Sequence, residues 1–116
     1  MMNIERFEQA LAQGKKDETI NSTLLWAYRD SKEARNDRIN FGEVIWNYDI
    51  EPILTGLKAE GITEFTISST FSSLIETLAA FEKLGCHMAG LTQVKARYTN
   101  WQTGEHALIP AIRMSL

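Results

Sequence analysis

The segment Glu64-Phe65-Thr66-Ile67-Ser68-Ser69-Thr70-Phe71-Ser72-Ser73-Leu74-Ile75-Glu76 changes its periodicity halfway. Up to Ser68, Phe65 and Ile67 alternate with Glu64, Thr66 and Ser68, the two-residue period of a strand with one apolar and one polar face. Ser73, with Glu76 three residues on, has the spacing of a capping box. Leu74, Leu78 and Phe81, widened by Ile75 and Leu84, then recur at helical spacing until Gly85 closes the helix. A second strand follows from His87 to Tyr98, with Gly90 a bulge that resets the alternation. After it, Val94, Ala96 and Tyr98 fall on one face and Gln93, Lys95 and Arg97 on the other. Residues 99–104 read as a polar hairpin loop with Trp101 at its tip. Residues 106–114 return as a third strand, which Pro110 places at a sheet edge because proline cannot donate to a ladder. Strand, helix and strand make a βαβ unit with a parallel crossover, and the hairpin adds an antiparallel strand. The order of the three strands, 1-2-3 or 1-3-2, stays open.

Working outward, Asp49 reads as the cap of a helix carrying Ile50, Ile53, Leu54 and Leu57, with Pro52 in its first turn. Gly61 ends it in the left-handed conformation, and Ile62 folds back on Leu57. Leu57 to Ile62 and Phe81 to Cys86 thus share one layout, a helix stopped at glycine before a strand. Residues 39–41 read as extended or irregular, and 42–48 as a helical turn in preference to a short strand. Further upstream, Asn3 caps a helix with Ile4, Phe7 and Leu11 up to Gly14, and Asp17 caps a second with Ile20, Leu24 and Tyr28. The expected fold is therefore α/β, or α+β-like: one domain, with helices over 1–38 and an α-β-α-β-β core over 39–116. A three-stranded mixed sheet carries its helices on one face.

Composition narrows the function. The chain has 116 residues, 44% hydrophobic and 23% charged, with 12 Lys+Arg against 15 Asp+Glu. A net charge of −3 gives no global attraction to nucleic acid or anionic lipid. One cysteine, Cys86, and two distant histidines leave no material for a disulfide or a metal centre. No apolar run approaches the ~20 residues of a bilayer span, and Met1-Met2-Asn3-Ile4-Glu5 lacks the features of a secretory signal. A reduced, cytoplasmic setting without cofactors is expected. The alternating charges from Arg29 to Arg38 read as a solvated helix end laced with ion pairs.

Three constellations merit attention. Ser68, Ser69, Thr70, Ser72 and Ser73 lie between strand and helix, where hydroxyls and helix N–H groups can hold an anion or cap the helix. Lys95, Arg97 and Arg113, with Thr66 and Tyr98 or Trp101, would form a cationic outer sheet face able to touch single-stranded nucleic acid. Alternatively, that face is merely solvated. Trp26 and Trp46 are expected in the core, whereas Trp101 at a loop tip suits an interface. Cys86 follows a helix C-terminus, the wrong end to activate a thiol. His87 and His106 could meet across the last strands, but no carboxylate is spaced to orient either, and Glu64 and Glu105 have no local partner. No acid, base, nucleophile and metal set emerges, so no catalytic residue is assigned.

The stretches Glu64 to Ser72, Leu78 to Cys86, Arg97-Tyr98-Thr99 and Ile109-Pro110-Ala111-Ile112, with Val44-Ile45-Trp46 upstream, are similar to a family of small uncharacterised proteins of Gram-positive gut bacteria. The similarity runs from about Ile39 to Leu116. These proteins are often carried on mobile elements, so the resemblance implies a bacterial cytoplasmic accessory role and transfers no catalytic residue. The leading reading is a non-enzymatic protein-interaction or accessory module of a mobile or plasmid-type element, with a protein partner or a second copy in a homodimer. A nucleic-acid contact module and a small anion- or phosphate-binding domain are the alternatives.

Overall fold

The structure, a computed structural model, describes Phe7, Glu8 and residues 21–43, 45–69 and 72–116. The expected first helix (apart from Phe7), the Asp17 cap, Ile20, Val44, Thr70 and Phe71 lie outside the described residues. Seven elements follow in order: α1 (Ser22–Glu33), β1 (Asn40–Phe41), α2 (Asn47–Ala59), β2 (Glu64–Ile67), α3 (Leu74–Lys83), β3 (His87–Thr99) and β4 (His106–Ser115).

Asn21 caps α1, its side chain accepting from the Leu24 N–H at 3.1 Å. Its Nδ2 also donates to Asp49 Oδ1, and Thr23 Oγ1 donates to Asp49 Oδ2 at 2.9 Å. Asp49 is therefore not the cap of α2. The helix starts three residues earlier than that cap would place it, behind Trp46, and Asp49 is a buried carboxylate in its first turn that ties the two helix starts together. The earlier start also moves Pro52 inside the helix. Ile50, Ile53, Leu54 and Leu57 are buried as their spacing predicts. Gly56 lets α1 approach: a Cβ there would lie 2.5 Å from Leu24 Cδ2.

The three described helices end alike. Gly61 and Gly85 have positive φ, and Ile62 and Cys86 donate back to Leu57 and Phe81 at 3.0 Å. α1 repeats this pattern with Arg35 at φ 62, where Asn36 N–H donates to Ser31 O at 2.9 Å. This is the double hydrogen-bond closure that left-handed residues permit at helix ends.

The sheet has four strands in the order β1-β2-β4-β3. The expectation of three strands missed β1, which pairs parallel to β2 through Asn40↔Thr66 and Phe41↔Ile67. Among the other three strands the observed order is the 1-3-2 alternative, with β4 antiparallel to both β2 and β3. The strand carrying Pro110 is therefore central rather than at an edge. Only Ile112–Ser115 pair with β2, however, so at Pro110 that side of β4 lies beyond the β2 ladder. The bulge at Gly90 is present: the register shifts between Met88 and Gly90, and Gly90 has φ 130.

The core joins all three helices to the sheet. Phe41, Phe65 and Phe81 form a chain of rings at 5.5 and 5.3 Å from β1 through β2 to α3. Such pairs contribute about 0.5–1.5 kcal/mol each beyond burial. Tyr28 packs edge-on against Phe7 at 5.0 Å. α1 touches both edge strands, β1 and β3. A flat sheet would hold those edges ~14 Å apart, so the hairpin curls toward α1. Helices confined to one face of a simple layer therefore describe this arrangement only coarsely.

Two predictions follow from these contacts. Arg35→Gly relieves a side chain held at positive φ and should raise stability by up to about 1 kcal/mol, whereas Gly61→Ala should lower it by about 1 kcal/mol. Urea midpoints with unchanged slopes would read both. The second concerns Glu8, whose carboxylate is held below its ordinary range by hydrogen bonds from Lys32 and then Tyr28. A depressed folded pKa stabilises above the unfolded value and is lost as pH falls through the folded one. Glu8→Gln should therefore melt below the wild type at pH 7, and the gap should start to narrow as pH falls below the unfolded glutamate value of ~4.3 and vanish only below the lower folded one.

Candidate functional site

Asn40 opens β1 opposite Thr66, and its side chain reaches Ser68, which follows β2 at the carboxyl end of the parallel pair, where ligands gather in sheets of this kind. Its Nδ2 donates to Ser68 Oγ at 2.9 Å, and its Oδ1 accepts from Thr66 Oγ1 at 2.8 Å. Its backbone N–H donates to Ser31 Oγ at 2.8 Å. Above this floor opens a cleft of about 640 Å³ between α1, the β1–α2 connection and the overhanging end of the hairpin. Trp26, Trp46 and Tyr98 line it, with Asp30, Glu43 and Lys95 also in its lining. Trp46 is 57% exposed and Tyr98 63% exposed. Trp46 is thus a cleft ring and not the core residue its apolar neighbours suggest. Arg29 lies over the Trp26 ring at 4.4 Å and pairs with Asp30 at 3.1 Å.

One far wall of the cleft is held by a single side chain. Asn36 donates through Nδ2 to the Lys95 carbonyl at 2.9 Å and accepts from the Lys95 N–H at 2.8 Å. An amide paired with both backbone groups imitates a neighbouring strand, so it satisfies this point of the β3 edge and fixes the hairpin against the end of α1.

The serine-rich turn is divided between roles. Ser68 belongs to the cleft floor. Ser69 is buried, and its hydroxyl donates to the Phe41 carbonyl at 3.4 Å. Ser72 and Ser73 are exposed, and Thr70 lies outside the described residues. Ser73 precedes α3 without a side-chain cap bond, so the expected capping box with Glu76 is not formed.

Lys95 and Arg113 do not share a face. Lys95 stands opposite Leu108, and Arg113 opposite Gly90 and Thr66. Leu108 and Arg113 are an odd number of positions apart on β4, which puts them on opposite sides of the sheet. Thr66 is fully buried, so the outer face of β2 is not an open polar surface. Arg113 instead donates to the Ala89 carbonyl in the bulge at 3.1 Å. Of Arg97, the backbone lies in β3.

The residues considered for catalysis also separate. His87 opposes Ser115 and His106 opposes Thr99, at the two ends of the hairpin, so they do not meet. His106 Nδ1 lies 2.6 Å from the Ala96 carbonyl. Cys86 is buried, and burial pushes its thiol up, against the opposing pull of Lys58. Glu64, expected to stand alone, pairs with Arg38 at 2.9 Å. Among the described residues, no three His, Cys, Asp or Glu side chains could hold a metal ion, and no helix is long and apolar enough to cross a membrane.

The cleft was missed from sequence because its walls come from α1, the 42–46 segment and the β3–β4 hairpin. The one usable signal was the clustering of Trp46 near Asn40 and Phe41. No curated protein and no solved structure matches the chain. The family model for the domain of unknown function DUF7698 matches residues 23–116, from the first turn of α1 through the last strand. That span contains the cleft, the serine-rich turn and the whole sheet, and the chain belongs to the DUF7698 family.

Proposed function

We propose that this chain is a non-enzymatic interaction module that pairs with a second copy of itself through the overhanging face of the β3–β4 hairpin. The observation that carries this reading is an apolar surface continuous with the core face but not covered by it. Leu91 faces Ile112, and Leu108 lies on the same side of β4 as Ile112 and Met114. Met114 is buried and Ile112 packs against the core, whereas Leu91 is 79% and Leu108 62% exposed. Met88, opposite Met114, is also exposed, as is Ile75 on α3. Large exposed apolar patches on soluble domains mark interaction surfaces.

A self-complementary use of the patch is supported by its chemistry. Met88, Leu91 and Leu108 carry no charge, and Lys95, exposed opposite Leu108 on the same side, is the neighbour that a two-fold copy must keep away from its own counterpart. Trp101, 88% exposed at the hairpin tip, extends the same projecting element. An accessory role in a mobile or plasmid-type element is the setting that the family resemblance suggests for such a module.

Analytical ultracentrifugation of the full chain over a range of micromolar concentrations tests this reading. A concentration-dependent dimer is expected, and Leu91→Glu with Leu108→Glu should return it to a monomer. Both side chains are exposed, so circular dichroism should stay unchanged. A wild-type monomer throughout that range would overturn the proposal. So would a dimer that the double variant leaves intact.

A further inference from the structure

We infer that the cleft above Asn40 binds an uncharged nucleoside, its flat heteroaromatic base stacked on an exposed ring and its edge turned to the polar floor. The cleft volume, about 640 Å³, falls within the range of small-ligand pockets. Trp46 and Tyr98 line it and are more than half exposed, so ring surface remains for a guest. Stacking on such rings accepts any nucleobase, because every base has a π-face.

The floor supplies what the edge of a base needs. Asn40 Nδ2 carries two hydrogens and gives one of them to Ser68 Oγ at 2.9 Å. Ser68 Oγ accepts that bond and donates none among the described residues, so its own hydrogen is left over. One N–H of Asn40 and the Ser68 hydroxyl are thus neighbouring donors at the floor. Gly42 lies beside them without a side chain: a Cβ there would stand 3.6 Å from Ser68 Oγ and 3.8 Å from Asn40 Nδ2. Two such donors suit the ring nitrogens and carbonyl oxygens that bases present on their edges.

The charges of the lining favour an uncharged ligand. Asp30 is paired with Arg29 at 3.1 Å, and Glu43 has an interaction of its own, so neither carboxylate is on offer to a cation. Among the described residues of the lining, Lys95 alone is basic. One lysine does not make the cationic track that a phosphate backbone follows.

Calorimetric titration of the full chain with adenosine, guanosine, cytidine and uridine tests the inference, set against indole, a flat ring without an edge acceptor. Saturable binding of at least one nucleoside is expected, at about tenfold higher affinity than indole. Trp46→Ala should weaken it about tenfold by removing a stacking face. Gly42→Ala places its methyl in ordinary contact with the two donors, so it should cover them and weaken binding while the melting temperature holds. Ser68→Ala should bring the nucleoside down to the level of indole, a loss of discrimination that a merely structural serine would not produce. No saturation by any of the four at millimolar concentration would overturn the inference. So would indole binding as tightly as the best nucleoside, or wild-type affinity in both Trp46→Ala and Gly42→Ala. Tighter, salt-sensitive binding of a single-stranded oligonucleotide would also overturn it, by assigning the cleft to a nucleic-acid strand. None of these outcomes depends on the oligomeric state, so the dimer reading stands or falls separately.

Discussion

Asn40 holds together parts of the chain that no ladder could hold alone. A two-residue strand makes few backbone hydrogen bonds, and an isolated pair of short strands is marginal in water. Here β1 stays in the sheet because the Asn40 side chain binds both Thr66 and Ser68, and its N–H is taken by Ser31 of α1. Thr66 and Ser68 also donate their backbone N–H groups to Ile39 and Phe41, each at 3.0 Å. One residue therefore ties α1 to β1 through its backbone, and β1 to β2 and the floor of the cleft through its side-chain amide. A residue without both a donor and an acceptor would leave buried Thr66 unpaired, at a cost of about 1–3 kcal/mol.

The second constraint is a mismatch of lengths. β2 has four residues, β3 thirteen and β4 ten. At ~3.3 Å per residue the hairpin outruns β2 by several pleats, and the part of β4 before Ile112 extends beyond the β2 ladder. The overhang has two sides, and they serve different ends. Val94 and Ala96 are buried on one, while Leu91 and Leu108 stay exposed on the other. The Asn36 amide pairs with the β3 edge at Lys95, and the bulge at Ala89 and Gly90, held by Arg113, interrupts the same edge further down. An edge so interrupted offers little continuous backbone for strand addition, which directs association to the apolar face and away from the edge.

What could be read in the sequence, and what could not, follows from how local each signal is. Gly61 and Gly85 announced two helix ends because glycine at positive φ needs no tertiary help. The third end was hidden, since Arg35 takes the same conformation without the residue that advertises it. The alternation of Phe65 with Thr66, the bulge at Gly90 and the buried stripe of α2 were legible for the same reason. β1 was not: two residues carry no period. Nor could Pro110 reveal that β4 is central, because it stands where the short β2 has already ended. The shared face of Lys95 and Arg113 failed on register, which the hairpin sets and a linear reading cannot see.

The site shows the same division more sharply. Ser68 was singled out for its place between strand and helix, and it does lie at the floor of the cleft. Its chemistry there depends on Asn40, which comes from the neighbouring strand and carried no motif. Trp46 seemed bound for the core because Val44 and Ile45 precede it. Yet Ile45 is buried, and Trp46 behind it opens α2 as its extended N-cap. Moving the helix cap back from Asp49 to Trp46 turns that ring outward and frees the Asp49 carboxylate to join Asn21 and Thr23. One displacement of a helix boundary thus accounts both for the tie between α1 and α2 and for the aromatic wall above Asn40.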